Sequence, residues 1–364
     1  MDVSKLNEYT FEIGPIRPPS EGGSHSLLLR TTRNCPWARC RFCYGLVYNR
    51  EKFELRSVED IKKDIESVKA IADGIRELSW QLGYGGVVNG VVGSSIVRSN
   101  PELNYNQYFI MVFNWLHVGA RTVFLQDANS LIMRTNELLE ILKYLKEQFP
   151  TIERVTSYAR AKTIAKKTLD ELKALREAGL SRLHVGLESG DDEVLKLVDK
   201  GVTAAEQIAG GKKAKEAGFE LSEYVMPGLG GRQLSDQHAR NTASVLNEIN
   251  PDFIRMRPFV VASPLPLYED YERGTFELSS PHERLRELKT LIENLNVTSR
   301  VCFDHFLNAW FTDSTRRCPL FSQDYNGYKF PEEKERVLSL VEEGLRIDES
   351  FHIHPKELIN VTHL

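Results

Sequence analysis

The chain has 364 residues, 41% hydrophobic and 27% charged, and 47 Lys and Arg against 51 Asp and Glu leave a net charge of −4. Those proportions describe a globular protein with ample core-forming material and no global basic field to recruit nucleic acid. Five cysteines cannot pair completely and are too few for a disulfide framework. No stretch reaches the ~20 apolar residues of a membrane span. The opening MDVSKLNEYTFEIG lacks a basic region followed by an apolar one, so a cytoplasmic location is expected.

The segment HSLLLRTT (25–32) reads as a first strand. A helix follows Ser57, which with Asp60 forms a capping pattern ahead of Ile61, Ile65, Val68 and Ala72 on one face. Residues 76–118 interrupt the pattern with GYGGVVNGVVGSS, a glycine density that predicts a loop or lid, with buried helical turns as the alternative. RTVFLQD (121–127) is a second strand, 136–148 a helix striped by Leu138, Leu142 and Leu145, and IERVTSYA (152–159) a third strand. Thr168 and Glu171 cap a helix closed by Gly179. SRLHVGLE (181–188), FELSEYVM (219–226) and DFIRMRPFV (252–260) are the fourth to sixth strands, with helices near 191–199, 203–217 and 235–249 between them.

Strands that are apolar or nearly so and alternate with helices imply a parallel sheet covered by helices. A nucleotide-binding open sheet would carry a glycine fingerprint after its first strand, where this chain has cysteines. The expectation is therefore an α/β fold of the barrel kind with its chemistry at the C-terminal strand ends. Residues 1–24 are an N-terminal extension, 25–260 the core with its 76–118 insertion, and 261–364 a C-terminal extension packing on the barrel.

Cys35, Cys40 and Cys43 sit on the loop after the first strand. A structural zinc site wants four closed ligands, often as two pairs, and only Cys40 and Cys43 form such a pair here. A disulfide fits a reducing compartment poorly. A cubane iron–sulfur cluster ordinarily takes four thiolates, so three leave one iron open to a substrate or cofactor.

C-x4-C-x2-C after a first strand, with Phe42 before the last cysteine, resembles the radical S-adenosylmethionine (SAM) superfamily, and the core resembles its coproporphyrinogen oxidase and methylthiotransferase type. The resemblance implies a partial (β/α)6 barrel over roughly 25–260, and a [4Fe–4S] cluster held by Cys35, Cys40 and Cys43 with SAM completing the fourth iron. It also implies cofactor contacts from the strand ends. FLQDANS places Gln126 and Asp127 where the family binds the methionine amino group, although the usual Gly-Gly-Glu is missing. Ser157 and Arg160 end strand three, and a guanidinium suits the methionine carboxylate. Glu188 of GLESG resembles a residue used on the SAM ribose or amino acid, while Tyr224 and Gly228 of YVMPGLGG fall in a segment near adenine. Arg255 and Arg257 alternate on strand six towards one side and need anionic company, from a nearby carboxylate or an acidic substrate.

The remaining signals are weaker. His352 and His354 in FHIHP read as an exposed tail strand, and Cys302 and Cys318 as buried hydrophobes. The expected activity is reductive cleavage of SAM to methionine and a 5′-deoxyadenosyl radical, which abstracts hydrogen from a small-molecule substrate. An external low-potential donor such as flavodoxin or ferredoxin supplies the electron. Two alternatives stand beside it: radical SAM modification of tRNA or another macromolecule, and a non-enzymatic iron–sulfur electron carrier or metal-sensing module.

Overall fold

A computed structural model describes residues 3–15, 21, 25–43, 52–263 and 265–360. Most of 16–24, together with Tyr44 and Gly45 at the end of the cysteine-rich stretch, lie outside the described residues. The chain divides into two compact units: Met1–Cys35, Glu51–Tyr158 and Lys173–Arg182 in the first, Pro36–Arg50, Ala159–Leu172 and Leu183–Leu364 in the second.

The first unit opens with β1 (Ser26–Arg30), all five residues buried. A short antiparallel ladder then joins β2 (Thr32–Arg33) to β3 (Glu54–Leu55), and the cysteine loop runs between them. In α1 (Val58–Gln81), Ser57 accepts the Asp60 N–H as cap, and Ile61, Ile65, Val68 and Ala72 form the buried stripe. The insertion follows the helical alternative rather than the loop or lid. Its glycines concentrate in one turn, with Gly83, Gly85 and Gly86 at φ of 82°, 63° and 84°. Beyond that turn Asn89 and Asn106 cap α2 (Gly90–Ser99) and α3 (Gln107–His117). Gly93 lies inside α2 because a Cβ there would sit 2.6 Å from the Phe113 ring. Buried Val92 and Ile96, and Phe109, Val112 and Trp115, show a helical spacing that glycine density hid from the sequence reading.

β4 (Thr122–Gln126) pairs in parallel with β1, α4 (Thr135–Gln148) buries Leu138, Leu142 and Leu145, and β5 (Arg154–Ala159) pairs in parallel with β4. β1 ends this strand order, having β4 as its one neighbour among the described residues.

The second unit takes in α5 (Ala161–Lys166), the start of α6 (Leu169–Glu177) and all but the first residues of β6 (Leu180–Glu188). It continues with α7 (Asp192–Leu197) and α8 (Ala204–Glu216), the latter opened by the Thr203–Glu206 capping box. β7 (Glu220–Val225), α9 (Ser235–Ile249) and β8 (Phe253–Met256) follow. β8 is shorter than the nine residues expected, since Pro258 has no N–H for a ladder.

Residues 261–360 then add α10 (Pro266–Glu272), α11 (Pro281–Asn294), β9 (Arg300–Cys302), β10 (Tyr328–Lys329) and α12 (Lys334–Arg346). β9 extends the sheet by pairing in parallel with β8, and antiparallel β10 ends the order. The fold class is thus α/β, with a mainly parallel sheet whose strand order is open at β1 and β10. No helix of the described residues is long and apolar enough to cross a membrane.

Candidate active site

In the first unit the cysteine loop leaves a base packed with alternating charge. Arg30, at the end of β1, pairs with Glu12 and Asp127 at 3.0 Å each. Arg33 pairs with Glu12 at 2.6 Å and with Glu54, its cross-strand partner, at 2.7 Å. Arg56 reaches Glu12 at 3.1 Å and Asp64 at 2.5 Å. The hydrogen bond from Arg33 holds the Glu12 carboxyl below its usual range, whereas burial outweighs Arg56 at Asp64 and raises its pKa. The sequence reading missed this network. Its residues are far apart in the chain, and nothing in single-residue periodicity joins Glu12 to Arg56.

Gln126 and Asp127 follow from β4, and both are fully buried. The Gln126 side chain is engaged with backbone: Nε2 donates to the Gly14 carbonyl at 3.0 Å, and Oε1 accepts the Gly14 N–H at 2.9 Å. Asp127 Oδ2 accepts the Asn34 N–H at 3.0 Å beside its Arg30 pair. Ser157 is also buried, and its hydroxyl donates to the Tyr158 carbonyl at 2.9 Å. Strand alternation turns Tyr158, rather than Ser157, to the side of Phe124, which it meets edge-on at 5.3 Å.

In the second unit Trp37 fixes the next stretch of loop. Its Nε1–H donates to the Asp199 carbonyl at 2.7 Å, and the Arg39 and Arg160 guanidiniums lie 4.9 and 5.4 Å from its ring centre. Gly201 takes φ 68° and must be glycine, because a Cβ would come within 2.2 Å of that ring. Arg160 also donates from Nη2 to the Lys200 carbonyl at 2.7 Å. Phe42 is buried among Val194, Val198, Leu229 and Phe259, with half-buried Cys40 packed against this cluster. The Cys43 N–H closes a turn on the Cys40 carbonyl at 3.1 Å.

Glu188, at the end of β6, has φ 63°, a strained value for a residue with a Cβ and of the kind that gathers at functional sites. Its Oε1 is 2.9 Å from Lys200 Nζ. Glu223 on β7 is fully buried, and desolvation, reinforced by the Glu188 charge, pushes its pKa well above the carboxylate range. The shift favours its protonated form, and its Oε2 has no hydrogen-bond partner among the described residues. Lys200 and Glu223 were not singled out from sequence, although a glutamate inside the apolar run FELSEYVM was a visible signal.

Tyr224 meets His184 edge-on at 5.5 Å, and the Arg257 guanidinium lies 5.6 Å from its ring centre. Gly228 takes φ 84°, donates its N–H to Glu287 at 2.6 Å and leaves no room for a Cβ, which would meet Arg284 at 2.8 Å. Of the two strand-six arginines, Arg255 is buried and satisfied, with Asp304 at 2.7 Å and Ser222 at 3.1 Å. Arg257 is half-buried and has no ion-pair carboxylate among the described residues; its Nη1 is shut from water without an acceptor. Beside it burial drives the His305 pKa down to about 3, so that ring is neutral.

Two expectations change. Cys302 is buried, its thiol pushed up to about 12 by desolvation, but Cys318 is exposed because it lies on a surface turn. His352 belongs to no strand and is buried: Nδ1 accepts the Phe311 N–H at 3.2 Å, and Nε2 faces the Gly344 carbonyl at 3.0 Å.

Cys35, Cys40 and Cys43 are not joined in disulfides. No three His, Cys, Asp or Glu side chains of the described residues converge on a single-ion position. A cubane needs no such convergence, since each thiolate binds a different iron. Three thiols in nine residues, without a fourth in the loop, are a donor set that fits that cluster.

The family model described as the radical SAM superfamily matches residues 110–243. The tRNA uridine(34) acetyltransferase of Methanocaldococcus infernus is 25% identical over 135 residues, 36% of this chain and 25% of that protein. The heme chaperone HemW of Bacillus subtilis is 22% identical over 174 residues, 47% of this chain and 45% of that one. The chain thus spans between a quarter and a half of these relatives' lengths. Among solved structures, methylornithine synthase aligns with a TM-score of 0.43 at 13% identity, covering 81% of this chain and 77% of the other.

Proposed function

We propose, from the premise that this chain is an enzyme of the radical SAM superfamily, that Cys35, Cys40 and Cys43 hold its [4Fe–4S] cluster and leave the fourth iron to SAM. The observation that carries this reading is the loop itself, three cysteines in nine residues that form no disulfide. When bound, cluster and SAM supply the one-electron cleavage of the sulfonium, for which the superfamily needs a reductant. A low-potential donor such as flavodoxin or ferredoxin fits that need.

The chain's own residues bind and orient. The Glu188–Lys200 pair and Glu223, whose burial favours the protonated form, group a carboxylate, a cation and a proton donor, a set suited to the hydroxyls and amino-acid head of SAM. Phe42 and Tyr224 supply apolar surface, and Arg160 a second cation. Gln126, Ser157 and Gly228 act in this reading through the backbone they fix. Asp304 answers Arg255, so Arg257 is the cation left for a substrate, which we take to be a small molecule bearing an acidic group.

Modification of tRNA is the second reading, favoured by the similarity to the tRNA uridine(34) acetyltransferase. It predicts substrate binding that weakens steeply with salt.

Anaerobic reconstitution and reduction test the proposal. The wild-type chain should release 5′-deoxyadenosine, and Cys35→Ser, Cys40→Ser and Cys43→Ser should each load no cluster and release none. A fully loaded, reduced protein that leaves SAM intact defeats the enzyme reading. Full iron in all three serine variants defeats the ligand assignment.

A further inference from the structure

We infer that Asp127, through its Oδ2, is a positioning residue for the first cysteine. The inference rests on the reading that Cys35 is a cluster ligand. The geometry is a continuous relay within the first unit. Arg30 Nη2 donates to Asp127 Oδ2 at 3.0 Å, and the same oxygen accepts the Asn34 N–H at 3.0 Å. Asn34 Oδ1 in turn accepts the Cys35 N–H at 2.7 Å. Asn34 has φ 60°, a left-handed conformation that asparagine tolerates better than most residues, and that twist turns the chain into the loop.

Asp127, Arg30 and Asn34 are all buried. A charge-assisted bond to a backbone amide is worth more there than in water, and the loss of its acceptor leaves an orphaned N–H. Oδ2 is therefore committed twice, to a cation and to the amide next to the cysteine. Arg30 is itself held by Glu12, which Arg33 and Arg56 bind from the β2–β3 base. The backbone of Cys35 is set by these contacts before any metal arrives, which lowers the ordering cost of ligation.

The test uses the full apo-chain first, with Asp127→Ala and the isosteric Asp127→Asn. Hydrogen exchange of the Asn34 and Cys35 amides should accelerate roughly ten- to a hundredfold in Asp127→Ala, the range of a charge-assisted hydrogen bond. The change should be smaller in Asp127→Asn, whose carbonyl can still accept. Exchange within α9 should stay unchanged, which separates a local effect from unfolding. Alkylation of Cys35 should speed up relative to Cys40 and Cys43.

After reconstitution, Asp127→Ala should hold less iron and give a broadened resonance from the reduced cluster. SAM affinity per loaded cluster should stay within about twofold. Asn34 and Cys35 exchange at wild-type rates, with SAM affinity per cluster reduced tenfold or more, would overturn the proposal and return Asp127 to the cofactor. The apo-chain measurements need neither cluster nor SAM, so they stand or fall separately from the ligand assignment.

Discussion

The base of the cysteine loop and the ends of β6–β8 are both rich in buried charge, yet they treat it differently. At the base, Arg30, Arg33 and Arg56 each face two carboxylates, and Glu12 ties the three together. At the strand ends, Glu188 has Lys200 and Arg255 has Asp304, but Glu223 and Arg257 have no ion-pair partner among the described residues. Matched buried charges fix a geometry, since removing one member strands the other. Polar atoms left unmatched are a cost to folding that a bound molecule can relieve. In the proposed reading, the first region holds a loop and the second receives a ligand.

Three variants sharpen or break that contrast. The largest stability effect belongs to the matched network. Arg30→Met leaves Asp127 buried without its cation and should cost ~3–5 kcal/mol in urea unfolding. A change under ~1 kcal/mol would mean the network does not hold the base.

Glu223→Gln comes next, and its sign depends on pH. Burial raises the folded pKa of Glu223 well above the ordinary value of 4.5 that applies when the chain is unfolded. Its contribution is complete below about pH 4.5 and declines as pH rises towards the folded value, by ~1.4 kcal/mol per pH unit. The glutamine variant carries no such proton. Its stability relative to wild type should therefore climb with pH, and parallel curves from pH 5 to 8 would show that burial does not raise the Glu223 pKa.

Arg257→Gln should move stability least, by under ~1 kcal/mol, because the variant strands no carboxylate. Its effect should fall on substrate: weakened binding of the acidic substrate with SAM cleavage retained. A large loss of stability would place Arg257 among the structural cations beside Arg255.

Much of this arrangement was legible in local chemistry. α9 lies where the reading placed it, Ser57 and Thr203 cap as their spacing implied, and the strands that line the site are apolar runs with polar ends. The failures have physical causes. In the insertion the helical alternative holds rather than the loop or lid, because Gly83, Gly85 and Gly86 form a single turn, while Gly93 serves helix packing. Arg255 and Arg257 look equivalent in IRMRPF; only the fold shows that Asp304 forms its ion pair with Arg255 and acts on Arg257 at longer range. The role of Glu12 depends on a meeting of residues 12, 30, 33 and 56 that no local pattern encodes.

The central claim is that the polypeptide binds three irons of a cubane and SAM binds the fourth. Mössbauer spectroscopy of the 57Fe-reconstituted protein, with and without SAM, tests it most directly. The account predicts one iron subsite distinct from the other three, with its isomer shift rising when SAM is added. Four subsites that do not respond to SAM would show a closed cluster and contradict it.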